Sequence, residues 1–314
     1  MIRWNHIFIS FSLLLLSGCA SQQISPPLLA VPIQPTLKQE IKLAQIEQAL
    51  YSDKKFDDQT LASIFYERGL LRDSIGLRDL AKLDFEQSLK YKSDQSNVFN
   101  AIGVYYTQSM QFDLAYESFD SAIDLNPEQH KFAQRNRGIA LYYGGRPHLA
   151  FQDLNTVYQQ DKSDPYSLIW LYFSELKLKP ETALTQLKAE YNANYGDSWH
   201  WLITEFLTQD RSDKEIMSDL VSDVSSNREL AERLTEAYFY IAKREQAKGN
   251  HQYAVKLYKM ALAGNVYDFI EHRYALLELQ SLIYNKSRES VTARAPEKPI
   301  STVVPEGVKP KKTK

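Results

Sequence analysis

Residues 97–127 read NVFNAIGVYYTQSMQFDLAYESFDSAIDLNP. Small residues stand at Gly103 and Ala115, an aromatic follows at Phe119, and Asn126-Pro127 closes the stretch. The same marks recur along the chain. Gly69, Gly103 and Gly138 are separated by 34 and 35 residues. Ala81, Ala115 and Ala150 keep the same steps, as do Phe85, Phe119 and Leu154. A fixed step of this size marks stacked units, each of which buries its apolar face only against its neighbours.

The central stretch resembles the tetratricopeptide pattern, W-x2-L-G-x2-Y…A-x3-F…P. Phe99 takes the tryptophan position, followed by Ile102-Gly103, Tyr106, Ala115, Phe119 and Pro127. The expected fold is all-α: a tetratricopeptide-repeat superhelix of stacked antiparallel helix pairs. Gly103 and Ala115 are small where the two helices of a pair cross, and Phe119 is expected to fill the seam with the next unit. Asn126-Pro127 stops one helix and starts the next. Clear units are expected near residues 62–95, 96–130 and 131–164. Ala254, Tyr258 and Ala261, with Gly249 upstream, mark a late unit near 235–268. Ala150 and Ala254 are 104 residues apart, close to three steps, so about two degenerate units stand between. One of them opens at Asp164-Pro165; Trp199 and Trp201 belong to a further helix. A helix near Phe269–Ile283 is expected to cap the array.

The two ends differ from this body. Arg3 and His6 precede the apolar run Ile7–Leu16, which is shorter than the roughly 20 residues a membrane span requires. Residues 1–18 therefore read as a secretory signal peptide. Leu16-Ser17-Gly18-Cys19 resembles a bacterial lipobox, and that resemblance implies acylation of Cys19, the one cysteine of the chain. Several acyl chains, each worth about 0.8 kcal/mol per buried CH2, anchor a protein stably. Ala20 after the cysteine resembles the outer-membrane sorting class, so the expected location is the outer membrane, lipid-anchored, facing the periplasm. Residues 19–35 form a lipidated linker with four prolines, which keep helix out of it. A helix begins at Thr36, where Thr36 and Gln39 match a capping box, and Ile41, Leu43, Ala44, Ile46 and Leu50 give it an apolar stripe. The array is expected over 36–285.

Residues 286–314 carry eight Lys/Arg and three Glu with little apolar content, and are expected to form a disordered basic tail. Residues 19–285 carry 28 basic and 36 acidic side chains, net −8. No nucleic-acid partner is expected.

Catalytic chemistry is not legible. The six histidines (His6, His130, His148, His200, His251, His272) are not paired at ligand spacing, so no metal site is assigned. Gly144-Gly145 lacks the Lys-Ser/Thr of a phosphate loop and reads as a turn. Asp57-Asp58 suits a helix start. No Gly-x-Ser-x-Gly occurs. We assign no catalytic residue and no cofactor. What remains is surface. On the first helix of each unit, Tyr66, Leu70 and Asp73, then Asn97, Asn100, Val104 and Thr107, then Arg135, Ile139 and Tyr142 are expected to line a concave groove that takes a partner.

LAVPIQPTLKQE (29–40), RNRGIALYYGGR (135–146) and EHRYALLEL (271–279) go beyond a generic repeat, and with them the chain resembles the lipoprotein NlpI family from Cys19 to about Leu282. The resemblance implies a non-catalytic, outer-membrane-anchored periplasmic homodimer. It implies an adaptor that brings peptidoglycan hydrolases to a tail-specific protease and so regulates wall turnover and division. Only Cys19 transfers as a functional residue. The long basic tail departs from the family. A second function class, a repeat subunit of an outer-membrane protein assembly machine, fits the same features.

Overall fold

A computed structural model of the chain describes residues 27–128 and 130–292, with side chains to Ile283. Cys19, the signal segment and residues 293–314 of the expected tail lie outside the described residues. Every regular element among the described residues is an α-helix.

The first helix, α1 (Leu37–Tyr51), starts where two side chains satisfy its free amides. Gln39 N donates to Thr36 Oγ1 at 3.2 Å, and Thr36 N donates to Gln39 Oε1 at 2.9 Å. Six antiparallel pairs follow: α2 (Asp58–Ser74) with α3 (Arg78–Tyr91), α4 (Ser96–Gln108) with α5 (Phe112–Leu125), α6 (Lys131–Tyr143) with α7 (Pro147–Gln160), α8 (Pro165–Leu176) with α9 (Pro180–Asn194), α10 (His200–Thr208) with α11 (Asp213–Val221), and α12 (Asn227–Ala247) with α13 (His251–Leu262). A last helix, α14, runs from Ile270 to Thr292. Pro147, Pro165 and Pro180 each sit in the first turn of a second or first helix, where a missing N–H costs nothing.

Within the first three pairs the crossing is set by the repeated glycine. A Cβ on Gly69 would lie 2.7 Å from the Phe85 ring, one on Gly103 2.6 Å from the Phe119 ring, and one on Gly138 2.7 Å from Leu154. Phe119 therefore packs on the glycine of its own pair. It also belongs to one apolar cluster with Ile139, Ala140 and Leu154 of the next pair. The turn between paired helices uses a left-handed residue in every pair but α8–α9. Gly76 (φ +84°), Gly145 (φ +75°) and Gly249 (φ +84°) supply it, and Met110 (φ +58°) adopts it without the freedom of glycine.

The first helices of successive pairs pack directly on one another (α4 on α6, α6 on α8, α8 on α10, α10 on α12). The second helices pack mainly on the first helices to either side. The array therefore curves with its first helices inside. Its densest core lies late, around Trp170, Phe173, Phe206, Phe239, Tyr240 and Tyr258, all at most 2% exposed.

Two features add to the expected layout. The last helix packs on the final pair, α12 and α13, as a capping helix does, and it also reaches α4 on the inner face. It also continues to Thr292, past the expected boundary at 285. And the part of the Pro-rich linker that is described does not stand free. Tyr238 Oη donates to Leu28 O at 2.6 Å, Val31 exchanges two hydrogen bonds with the Asn227 side chain (2.9 and 2.8 Å), and Ile33 N donates to Gly264 O at 2.9 Å. Backbone groups of an extended, proline-broken segment need partners outside it, and α12 with the loop after α13 provides them. Both ends of the array thus meet: Tyr267 lies against Gly76, and Arg78 reaches His272 Nδ1 at 2.7 Å.

Candidate functional site: the inner face and its occupant

The inner face is built from the C-terminal halves of the first helices, where polar side chains point toward α14. Arg273 of α14 forms an ion pair with Asp73 at the end of α2, and Tyr105 Oη of α4 donates to the same carboxylate. The Arg273 guanidinium also lies 5.1 Å from the Tyr105 ring centre. The next residue, Tyr274, meets Tyr143 (5.2 Å) and Trp170 (6.2 Å). A further turn along, Glu278 accepts from Lys243 Nζ at 2.6 Å and from Gln246 Nε2 at 2.9 Å.

Lys243 is 4% exposed and enclosed by aromatic rings: Tyr142, Tyr143, Phe173 and Trp170 at 4.7–5.1 Å and Phe239 at 5.9 Å. Burial by itself drives an ammonium toward neutrality. Glu278 and the tyrosines outweigh it, and the Lys243 pKa stands above its ordinary value. Burial likewise works against the Glu278 carboxylate, but Lys243 and its hydrogen bonds hold it below the ordinary carboxylate value. Both partners are therefore charged, and each is the other's main reason for being so.

A carboxyl pair lies between α8, α12 and α14. Tyr166 Oη donates to Glu236, and Tyr240 Oη donates to Glu271 at 2.7 Å. Burial, with the Glu271 charge beside it, pushes Glu236 well above the ordinary range; burial raises Glu271 too. At the mouth, burial first and then Arg78 and Arg273 press the His272 pKa down to about 3, so its ring is neutral and accepts from Arg78. Among the described residues no group of three His, Cys, Asp or Glu is arranged to hold a metal ion.

The expected groove residues fall into three fates. Asn97 is exposed and Tyr66 half-buried, its ring tilted on Phe85 at 5.9 Å. Asn100 accepts from Asn136 at 3.0 Å, and Arg135 pairs with Asp164 at 2.6 Å; both bonds tie one pair to the next. Thr107 and Tyr142 are enclosed to different degrees. Thr107 is fully buried and donates to Gly103 O at 2.8 Å. Tyr142 is half-buried, its ring between the exposed Lys177 (3.6 Å from its centre) and the buried Lys243. Val104 and Ile139 are buried as well. Beside them α14 lays Arg273 against Asp73 and Tyr105, and Tyr274 against Tyr143 and Trp170. Arg273, Lys243, Glu278, Glu236 and Glu271 were not singled out from the sequence. The available signal was the density of charges within apolar helices, as in AKRE (242–245) and EHRYALLEL.

No protein-family model matches the chain. Its fold is similar to several solved tetratricopeptide-repeat structures. The C-terminal part of a TPR repeat-containing protein from Cytophaga hutchinsonii is 17% identical, over 72% of this chain and 77% of that one, with TM-score 0.40. PilF of Pseudomonas aeruginosa is 14% identical, over 70% and 88%, with TM-score 0.44. PilW, described as a type IV pilus biogenesis factor, is 19% identical, over 78% and 90%, with TM-score 0.40.

The outer side differs in character from the inner one. Leu80 of α3, Leu114 of α5 and Leu149 of α7 precede the buried Ala81, Ala115 and Ala150 and are 43%, 41% and 45% exposed. They repeat one register across three consecutive second helices. No helix among the described residues is long and apolar enough to cross a membrane.

Proposed function

We propose that this chain is a non-catalytic scaffold of the lipoprotein NlpI type. It is anchored in the outer membrane through acylated Cys19, faces the periplasm as a homodimer, and brings peptidoglycan hydrolases together with a tail-specific protease. The observation that carries the scaffold reading is the leucine ridge Leu80–Leu114–Leu149. A stacked-helix array presents such a ridge as one continuous surface, and exposed apolar positions held in register suit protein contact. The inner face supports the same reading, since its polar groups are engaged with α14. The lipobox and the three family-like stretches support the anchor and the choice of clients. The second protomer is assigned to α1, whose Leu37 and Ile41 are 70% and 49% exposed and which packs on the body only through α2.

The test is photo-crosslinking in living cells from positions 80, 114 and 149, read by mass spectrometry. Wall hydrolases and a tail-specific protease are the expected captures. Barrel-assembly proteins in their place would replace this reading. Cys19→Ser should release the protein from outer-membrane vesicles, and deletion of residues 36–50 should give a monomer by light scattering.

A further inference from the structure

A second site lies in the seam where α7 and α9 straddle α8. It is a cavity of about 180 Å3, some six water volumes, large enough for one extended side chain. Phe151, Leu171 and Tyr172 form apolar walls, and the amides of Gln159 and Gln186 stand at its edge. Two carboxylates also line it, and they differ. Glu190 is satisfied: Tyr158 Oη donates to it at 2.8 Å, Asn194 Nδ2 at 3.0 Å and Lys162 Nζ at 3.1 Å. Glu175 is 6% exposed, yet among the described residues its carboxylate accepts no hydrogen bond and makes no ion pair. Burial raises its pKa, and Lys179 acts on it only as a charge at longer range.

The Glu175 oxygens are not sealed off; they belong to the cavity lining, and with no donor among the described residues they are free to accept from whatever fills it. The required occupant has an apolar stem for the walls and a cationic head that donates to Glu175. We propose that this cavity is a receptor for an arginine side chain presented by a bound polypeptide. Arginine fits better than lysine. Its planar head donates two parallel hydrogen bonds to one carboxylate, stacks on aromatic faces such as Tyr172 and Phe151, and has donors left for the edge amides. A polypeptide is the source because α7, which forms one wall, also carries Leu149 of the exposed ridge. The inference takes its biological sense from the scaffold reading, but its test needs no knowledge of the clients.

The full-length chain in detergent is titrated calorimetrically with acetyl-Leu-Ala-Arg-Ala-Leu-amide and with the same peptide bearing citrulline, which keeps shape and loses charge. The arginine peptide should bind saturably and at least tenfold more tightly. Glu175→Gln should remove that preference while its melting temperature stays level or rises, since a desolvated charge is gone. Equal binding of the two peptides, or a preference that survives in Glu175→Gln, overturns the proposal. The chain's own basic segment is the competing occupant. If neutralising Arg294, Lys298, Lys309, Lys311, Lys312 and Lys314 to Gln tightens peptide binding tenfold, that segment fills the cavity and the assignment to a partner falls. Capture of unexpected clients in cells would overturn the scaffold's proposed role and leave this titration unaffected.

Discussion

Arg273 on the last helix and Asp73 at the end of the first array helix form an ion pair across 200 residues of sequence. Their side chains are 5% and 14% exposed. The pair joins the two ends of a repeat array, which ordinarily touch only their neighbours. Breaking a buried pair by removing one partner leaves an uncompensated charge, at about 3–5 kcal/mol. Arg273→Met and Asp73→Asn should each lower stability by that order in urea unfolding. The double variant should lose clearly less than the sum, because the residue left behind is no longer charged.

Lys243 and Glu278 make the same argument inside the aromatic enclosure. Lys243→Met alone strands Glu278, and Glu278→Leu alone strands Lys243; either should cost about 3–5 kcal/mol. With both replaced, apolar side chains fill an apolar enclosure. The double variant should unfold within about 2 kcal/mol of the wild type. Denaturant midpoints of the three variants check this.

His272 should make the fold acid-sensitive. Its folded pKa of about 3 lies below the ordinary 6.5. Below pH 6.5 the unfolded chain takes up a proton that the folded chain does not, so stability falls as pH drops from about 6.5 toward 3. The slope is about 1.4 kcal/mol per pH unit at most. His272→Gln keeps an acceptor for Arg78 and should remove this slope in unfolding measured from pH 7 to pH 4.

Glu271 acts with the opposite sign. Its folded pKa is raised, with burial the main cause. The folded chain holds the proton longer than the unfolded chain, so the contribution is full below the ordinary carboxylate pKa and is lost as pH rises. Glu271→Gln keeps an acceptor for Tyr240 Oη. It should raise the melting temperature at pH 8 by more than at pH 5.

Gly103→Ala should destabilise by about 1–3 kcal/mol, since the new methyl group would lie 2.6 Å from a fully buried Phe119 ring. Phe119→Leu in the same chain should recover part of that loss, because the third pair already matches glycine with leucine at Gly138 and Leu154. Thermal unfolding of the two variants measures it.

The repeat was legible because it is a local property. Gly103, Ala115 and Phe119 lie within one helix hairpin, their spacing follows from helix geometry, and the same hairpin is written three times in one register. The Thr36–Gln39 cap was legible for the same reason, since donor and acceptor are three residues apart. The inner face was not. Thr107 and Tyr142 carry the spacing of groove-lining residues, and that spacing says which way a side chain points without saying what stands opposite. What stands opposite depended on where α14 goes, and no local pattern encodes its return to Asp73, Tyr105 and Lys243. Those contacts join segments about 35 to 200 residues apart, whose loop-closure entropy is overcome only by the assembled core. The sequence by itself determined that the chain folds as stacked helix pairs around a glycine-and-aromatic crossing. Only the tertiary structure decided that the array is closed on its own last helix, because a buried cation and its carboxylate identify each other only once both have been removed from water.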